Sequence, residues 1–301
     1  MTSLLPGASV TVRVPASSAN LGPGFDSLGL ALGIYDEVTA TVTDSDLVID
    51  IEGEGSDSVR RDEGHLVVQS MHVLWKRLDA APPPGLRLHA RNEIPHARGV
   101  GSSAAAIVAG VAAALALTGA PLTDPHALAL VNDVAGDLEG HPDNASASVY
   151  GGATVSWRAS GREGWETASI PLHDKVFPVI FIPEATLSTQ KARAALAPTV
   201  PLGDAASGAG RTALLTLALT QRPDLLLAAT RDWLHQEARR PAYPESMALV
   251  DTLRADGHAA VISGAGPTVL VLAADAAATF SPPDGWQQVR PGVAAIGVQQ
   301  I

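Results

Sequence analysis

The stretch Glu93–Ala106, EIPHARGVGSSAAA, places a proline and an arginine ahead of two glycines and two serines, and a run of alanines follows. Glycine allows a backbone to reach positive φ and to approach a ligand closely. The first N–H groups of a helix lack intrahelical partners, so a helix start of this kind binds anions readily. Two interpretations are open at this point: a loop followed by an N-capped helix, or a backbone cradle for phosphate.

The phosphate interpretation requires a source of positive charge other than lysine. The motif lacks the Gly-Lys-Ser/Thr sequence of the Walker loop. A metal ion and other residues must therefore neutralise a bound phosphate. Mg²⁺ prefers oxygen ligands and is commonly held by one or two carboxylates together with phosphate oxygens, and a serine hydroxyl of this motif could join them.

Two further glycine-rich segments favour the phosphate interpretation. Pro15–Asp26, PASSANLGPGFD, packs asparagine, glycine and aspartate into an early stretch that reads as a loop. Ser263–Thr268, SGAGPT, lies between two apolar strands, and taken alone it fits a tight hairpin. Three glycine-rich loops of different character are hard to explain as turns only.

Composition excludes several classes of protein. The chain has 301 residues, 46% of them hydrophobic, which is enough for one large domain or two ordinary ones. A net charge of −11 argues against a general surface for nucleic acid or anionic membrane. The absence of cysteine excludes disulfides, thiolate zinc sites and cysteine nucleophiles. No apolar run reaches the roughly 20 residues of a membrane span, and no signal peptide is visible, so we expect a cytoplasmic protein.

Strand and helix patterns alternate without a regular βαβ rhythm, which predicts an α+β fold. Polar, glycine-containing residues 161–167 predict a domain boundary, with domains at 1–160 and 161–301. A strand is expected at 10–14, followed by the loop from Pro15, and Thr123 is expected to cap a helix. The other helices are expected at 66–78, from the glycine-serine motif to 117, and around 188–196, 205–220, 223–238 and 245–256.

Four segments resemble the signature segments of the homoserine kinase family, in the GHMP kinase superfamily. In chain order, between about residues 12 and 272, they are VPASSANLGPGFDSLGLAL, IPHARGVGSSAAA, EGHPDN and SGAGPTVL. The second and fourth are motifs of the whole superfamily. The first and third are much more specific to homoserine kinases, since galactokinases and mevalonate kinases have a different opening motif.

The resemblance implies a fold and an activity. It implies a ribosomal-S5-domain-2-like N-terminal domain that binds ATP, a ferredoxin-like C-terminal domain that completes the substrate site, and an active site between them. The expected reaction transfers the γ-phosphate of ATP to the side-chain hydroxyl of L-homoserine, giving O-phospho-L-homoserine for threonine biosynthesis. A homodimer is expected, without nucleic-acid or membrane partners. A kinase for another small alcohol such as threonine, or a catalytically silent ligand-binding member, is the alternative.

The resemblance also assigns residues, one by one. Ser103 and Glu139 match the Mg²⁺ ligands and, with Asn144, the catalytic set. The residues that match the ATP site are Pro95, Arg98, Gly99, Val100, Gly101, Ser102, Ser103 and His65. The residues that match the substrate site are Asn20, Asp26, His141, Asn144, Thr189, Arg193 and Arg239. Two arginines suit an α-carboxylate because the guanidinium fork binds it bidentately.

Each assignment has a structural alternative. Asp26 could cap a helix starting near Ser27, and Glu139 could be a solvated charge at a helix end. His141 could be a packed hydrogen-bonding residue, and the two arginines could be surface charges. Asp143 could be a catalytic base, but a structural role is favoured. His65 also departs from the family, which usually has asparagine at that position, and this leaves the nucleotide contacts open.

Overall fold

Eleven strands form two sheets in the computed structural model, which describes residues 4–161 and 163–301. The strands are β1 (Ser9–Ala19), β2 (Leu28–Thr43), β3 (Leu47–Gly53), β4 (Gly85–Asn92), β5 (Ala153–Arg158), β6 (Trp165–Ile170), β7 (Phe177–Pro183), β8 (Ala260–Ile262), β9 (Val269–Ala273), β10 (Trp286–Val289) and β11 (Gln299–Gln300).

The first sheet has the order β11-β1-β2-β4-β3, and the β5–β6 hairpin joins it by pairing with β2. The second sheet has the order β10-β7-β9-β8. Within the described residues only β3 and β4 pair in parallel; the other pairs are antiparallel. Mainly antiparallel sheets with separate helices confirm the predicted α+β class.

Nine α-helices accompany the sheets in the described part of the chain. They are α1 (Leu66–Arg77), α2 (Ser102–Leu117), α3 (Pro125–Glu139), α4 (Asp143–Tyr150), α5 (Thr189–Ala194), α6 (Leu202–Thr220), α7 (Leu226–Ala229), α8 (Gln236–Arg239) and α9 (Pro244–Ala255). No helix among the described residues is long and apolar enough to cross a membrane.

Helix α2 is the central helix beside the first sheet. It packs against β1 and against helices α1, α3 and α4, so nearly every one of its residues from Ala104 onward is buried. Its alanines and glycine keep these neighbours close: a Cβ on Gly110 would lie 2.4 Å from the carbonyl oxygen of Val67 in α1. The alanine run therefore forms a buried helix that packs closely against its neighbours.

Two local predictions at the beginning of elements are wrong. The loop expected from Pro15 begins later, because β1 continues to Ala19; a register shift at Pro15/Ala16 lets residues 16–19 pair with β2. Thr123 does not cap α3. The Asp124 carboxylate accepts a hydrogen bond from the N–H of His126 instead, in agreement with the preference for aspartate at N-caps.

The helix expected over residues 223–238 is also wrong. A 3₁₀ turn at Pro223–Leu225 leads into the four-residue α7, and regular helix resumes only at α8. Between them the Asp232 carboxylate accepts hydrogen bonds from the N–H groups of Leu234, His235 and Gln236. This aspartate turns the chain because its side chain competes with the helical hydrogen bonds of the backbone.

The predicted boundary segment 161–167 is partly strand, because β6 begins at Trp165 and stays in the first sheet. The second sheet begins only with β7, and β11 returns to the first sheet beside β1. A division into domains at 160/161 stays a prediction; the change from one sheet to the other lies between Ile170 and Phe177.

Candidate active site

The three glycine-rich segments contact one another beside the end of β1, the start of α2 and the β8–β9 connection. The Ser263 hydroxyl donates to the carbonyl oxygen of Gly99 over 2.6 Å, and the N–H of Gly264 donates to the carbonyl oxygen of Ala19 over 3.2 Å. Gly99 has φ +80°, and a Cβ there would lie 2.6 Å from the carbonyl oxygen of Ser263. A side chain at Gly99 would therefore separate the loops.

A cavity of about 230 Å³ lies at this junction. Most of the residues that the sequence assigned to the site line it. They are Asn20, Asp26, Gly99, Gly101, Ser102, Ser103, Glu139, His141, Asn144, Arg193 and Arg239.

The remaining assigned residues lie elsewhere. Arg98 turns away and donates hydrogen bonds to the carbonyl oxygens of Pro183 and Glu184, so it connects the motif to β7. Pro95 and Val100 do not line the cavity either, and Val100 is fully buried. These three were predicted to contact ATP, which stays a prediction; none of them lines this cavity or the apolar cavity beside it. Thr189 begins α5, but its side chain lies outside the described part of the chain.

The N-terminus of α2 opens into the cavity. Gly101 is the N-cap of α2 in a left-handed conformation, and no described side chain caps the helix. Ser102 and Ser103 form the first turn and line the cavity. The unpaired N–H groups and the helix dipole make this end a site for anionic oxygens.

Ser103 and Glu139 form an oxygen pair beside that helix start. The Ser103 hydroxyl donates to Oε2 of Glu139 over 3.2 Å. Burial raises the pKa of the Glu139 carboxyl, while His141 and Ser103 partly offset this. Among the described residues no group of three acidic or histidine side chains is arranged to hold a metal ion. A hydroxyl and one carboxylate beside a phosphate cradle fit Mg²⁺.

Asp143 organises the polar wall formed by the EGHPDN segment. Its carboxylate is buried, and Oδ1 accepts the N–H of Asn144 and pairs with Nδ1 of His141 at 3.0 Å. Burial lowers the pKa of His141, but the bond to Asp143 and the nearby carboxylates raise it by more, so the net shift is upward. The Asn144 Oδ1 accepts from Ser17, which leaves its amide N–H groups as donors to a ligand.

Asn20 shapes the first loop. Its Oδ1 accepts the N–H of Asp26, and its Nδ2 donates to the carbonyl oxygen of Gly264, so one amide joins both loops. The backbone at Asn20 has φ 69°, which asparagine tolerates better than most residues. No helix begins near Ser27, so the alternative of Asp26 as a helix cap is wrong. Asp26 forms two hydrogen bonds with Arg193 of α5.

Arg239 is a buried cation at the cavity wall. It is 2% exposed, and burial lowers the pKa of its guanidinium, so the surface-charge alternative is wrong for this residue. It bonds to the carbonyl oxygen of Ala192 and faces Nδ1 of His235 at 3.3 Å. No carboxylate among residues 4–161 and 163–301 lies within ion-pair distance of it. A buried cation of this kind suits an anionic ligand.

His235 supports the candidate active site, and the sequence analysis did not identify it. It is fully buried, donates from Nε2 to the carbonyl oxygen of Gly22 over 2.8 Å, and stacks on Phe25. It therefore supports both Arg239 and the first loop. Its position four residues before Arg239, in the segment HQEAR (residues 235–239), was the available signal.

A second cavity of about 240 Å³ adjoins the first and shares Ser102 and Ser103 with it. Its wall is mainly apolar and comes from α1, α2 and strands β2 and β4. Its lining includes Val38, Leu66, Val67, Ala90, Ala106 and Ala109. His65 lies in this wall, 5% exposed, and its Nδ1 has no hydrogen-bond partner among the described residues. Burial lowers the pKa of His65, which favours the neutral ring.

The arrangement is a continuous cleft with an apolar chamber, an anion-binding helix start and a charged chamber. The apolar chamber suits a nucleotide base, the helix start suits a chain of phosphates, and the charged chamber suits a small charged acceptor. Phosphoryl transfer depends chiefly on positioning and charge neutralisation, which such a cleft provides.

Comparisons with known proteins agree with this geometry. The model of the GHMP kinases N terminal domain matches residues 65–152, and that of the GHMP kinases C terminal domain matches residues 214–280. A homoserine kinase of Streptomyces coelicolor is 55% identical over 268 residues, covering 88% of this chain and 85% of the relative.

Solved structures share the fold. The crystal structure of homoserine kinase from Cytophaga hutchinsonii superposes with a TM-score of 0.79 at 23% identity, covering 98% of each chain. Mevalonate diphosphate decarboxylase from Enterococcus faecalis reaches 0.67 at 17% identity, covering 98% of this chain and 99% of its own. Because that enzyme carries a different name on the same fold, the fold by itself does not identify the acceptor.

Proposed function

The chain belongs to the homoserine kinase family of the GHMP kinases, and from this premise we propose that its cleft transfers the γ-phosphate of ATP to the side-chain hydroxyl of L-homoserine. The observation that carries the proposal is the meeting of Asp26 and the buried Arg239 in the chamber beside the α2 N-terminus. An anion and a cation in one small chamber suit a zwitterionic amino acid.

We place the nucleotide along the shared wall of the two cavities. The phosphates lie at the first turn of α2, and the base occupies the apolar chamber, where His65 forms part of the wall. Ser103 and Glu139 would hold Mg²⁺, which neutralises charge on the phosphates when bound. Gly99 and Gly101 keep the backbone free of side chains at this point, and Pro95, Arg98 and Val100 belong to the same proposed ATP-binding segment.

We place the acceptor between the two sheets. Arg239 receives the α-carboxylate, with Arg193 as the second donor, and Asp26 receives the ammonium group. Asn144 then orients the hydroxyl through its amide, and His141 lies on the same wall. The Asp143 carboxylate is already engaged by His141 and Asn144, which supports a positioning role for it. No side chain needs to act as a strong general base, because positioning and charge neutralisation carry most of the reaction.

The wider setting is part of the proposal. Residues 1–160 bind ATP and residues 161–301 complete the substrate site. The protein works as a cytoplasmic homodimer in threonine biosynthesis, without nucleic-acid or membrane partners; the charge of −11 supports the last point.

A substrate panel tests the proposal. The purified protein with ATP and Mg²⁺ is given homoserine, threonine, serine or mevalonate, and phosphorus NMR identifies the product. We expect O-phosphohomoserine as the main product. Turnover of another alcohol without turnover of homoserine would favour a different GHMP kinase, and no ATP consumption with any acceptor would favour a silent binding protein.

A further inference from the structure

A buried carboxylate in the apolar chamber has no role in the cleft described so far. Asp36 lies in β2 and lines the second cavity beside Val38, and the residue is 5% exposed. Its Oδ1 accepts the N–H groups of Glu93 and Ile94 over 2.8 and 2.9 Å. Its Oδ2 accepts no hydrogen bond from residues 4–161 and 163–301.

The environment of Asp36 is unfavourable for a charge. Burial raises the pKa of its carboxyl to about 6, against the effect of the two backbone N–H groups, and the nearby Glu93 and Glu54 raise it further. No cation lies within ion-pair distance of it in the described part of the chain. Asp36 lines the cavity with an oxygen that no described residue occupies, so a ligand donor that reaches Oδ2 forms a charge-assisted hydrogen bond there.

We propose that Asp36 is a specificity residue that selects 6-aminopurine nucleotides, by accepting a hydrogen bond from the exocyclic 6-amino group at Oδ2. The proposal rests on the proposed function, because it places the base of the phosphate donor in this cavity. It assigns a new role to a side chain that the cleft does not otherwise use.

The occupied Oδ1 decides which purine fits. Recognition of guanine by a carboxylate uses both oxygens, one for N1–H and one for the 2-amino group. Oδ1 of Asp36 already holds two backbone N–H groups, so only one acceptor remains, which matches a single amino group. A guanine in the same pose would place its O6 acceptor against Oδ2, and when the carboxylate is ionised the two facing acceptors exclude each other.

An isosteric substitution reverses this preference. In Asp36→Asn the side-chain oxygen still accepts the N–H groups of Glu93 and Ile94, while the amide nitrogen replaces Oδ2 and offers a donor. We expect the ratio of kcat/KM for GTP to that for ATP, measured with homoserine, to rise by about 10- to 100-fold. Asp50→Asn, which removes an exposed carboxylate from β3, is the matched control and should leave the ratio unchanged.

A series of nucleotides on the unaltered protein makes the test independent of the variant. Equilibrium binding of non-hydrolysable analogues of ATP, ITP and GTP is measured by calorimetry. Inosine carries the 6-oxo group without the 2-amino group, so it isolates the contact with Asp36. We expect ITP and GTP analogues to bind at least about tenfold more weakly than the ATP analogue.

The outcomes separate the two proposals. Equal affinity for the three analogues, a preference for GTP, or an equal loss of ATP and GTP binding in Asp36→Asn would overturn the role of Asp36. If homoserine is not phosphorylated but the protein prefers the ATP analogue and Asp36→Asn reverses this preference, the proposed acceptor is wrong. The role of Asp36 in selecting the base is then supported.

Discussion

Asp26 and Arg193 neutralise each other across the mouth of the candidate active site. Nη2 of Arg193 lies 2.7 Å from Oδ1 of Asp26, and Nη1 lies 3.0 Å from Oδ2. The family resemblance assigned both residues to the substrate site, and the proposed function has them bind opposite ends of one substrate. A zwitterionic amino acid can replace this single ion pair by two, since its ammonium group pairs with Asp26 and its carboxylate with Arg193.

Asp26→Asn is expected to lower kcat/KM for homoserine by about 30-fold or more, because it removes the partner of the substrate ammonium group. The pair is partly exposed, with side-chain exposures of 42% and 34%, so the free energy of unfolding should change by less than about 1 kcal/mol. Steady-state kinetics and urea unfolding check both statements. The exposed Arg222–Asp224 pair is also joined by two hydrogen bonds, from Nε and Nη2 of the arginine, and Asp224→Asn is the control. Similar kinetics in both variants would contradict a role for Asp26 in binding.

Arg239→Leu is expected to lose about 30-fold or more in kcat/KM with homoserine, because Arg239 provides the buried cation for the carboxylate. The loss should shrink when the substrate is homoserine carboxamide, whose anionic group is already absent. The measurement is a cycle of two proteins and two substrates. General damage from the lost bond to the carbonyl oxygen of Ala192 affects both substrates alike and cancels in the ratio. An equal loss on both substrates would mean that Arg239 does not bind the carboxylate.

Glu139→Gln keeps the shape of the side chain and removes its charge. We expect the half-saturating Mg²⁺ concentration to rise by about tenfold or more and kcat to fall. Residues that only hydrogen-bond to metal ligands change metal affinity by about tenfold or more, and a carboxylate ligand should contribute at least as much. A titration of activity with Mg²⁺ checks this. Asp137→Asn removes an exposed carboxylate from the same helix and should leave the Mg²⁺ dependence unchanged. An unaltered dependence in Glu139→Gln would assign Glu139 to the solvated helix end.

Replacing Asp36 by asparagine should raise the free energy of unfolding by an amount that depends on pH. The pKa of Asp36 is raised by burial from 3.8 to about 6 in the folded protein. The protonated Asp36 carboxyl therefore contributes to the stability of the folded protein below pH 4. This contribution is lost as the pH rises through 6, where the buried carboxylate ionises. Two pKa units correspond to about 3 kcal/mol at most.

Asp36→Asn does not ionise, so its stability relative to the unaltered protein should increase between pH 4 and pH 7.5, by up to about 3 kcal/mol. Urea unfolding at the two pH values measures the difference, with Asp50→Asn as the baseline for loss of one negative charge. A difference that is the same at both pH values would show that the Asp36 carboxylate is ionised without penalty in the folded protein.

The local elements could be predicted where short-range chemistry decides them. The periodicity of residues 66–78 and the alanine run after the glycine-serine motif predicted α1 and α2, and both are confirmed. The prediction failed at β1, whose last residues become strand only because β2 is available for pairing. It failed again at residues 230–235, where the Asp232 side chain replaces helical hydrogen bonds.

The site could be predicted as a set of residues but not as a set of contacts. Eleven of the assigned residues line one cavity, because their motifs carry recognisable residue types. The pairing of Asp26 with Arg193 joins residues 167 positions apart. The contact between His235 and Arg239 likewise depends on which distant segments fold together. The same holds for Oδ2 of Asp36, which has no hydrogen-bond donor among the described residues.

The sequence by itself therefore determined the family, the class of fold and the candidate phosphate-binding loop, since the signature motifs, backbone freedom at glycine and the helix start are local properties. Only the tertiary structure decided which charges are satisfied within the protein and which are left for a ligand. The reason is that burial and hydrogen-bond partners come from distant segments: Asp26 is neutralised by Arg193, whereas Arg239 and Asp36 are desolvated by the sheets and helices around them without a charged partner among the described residues.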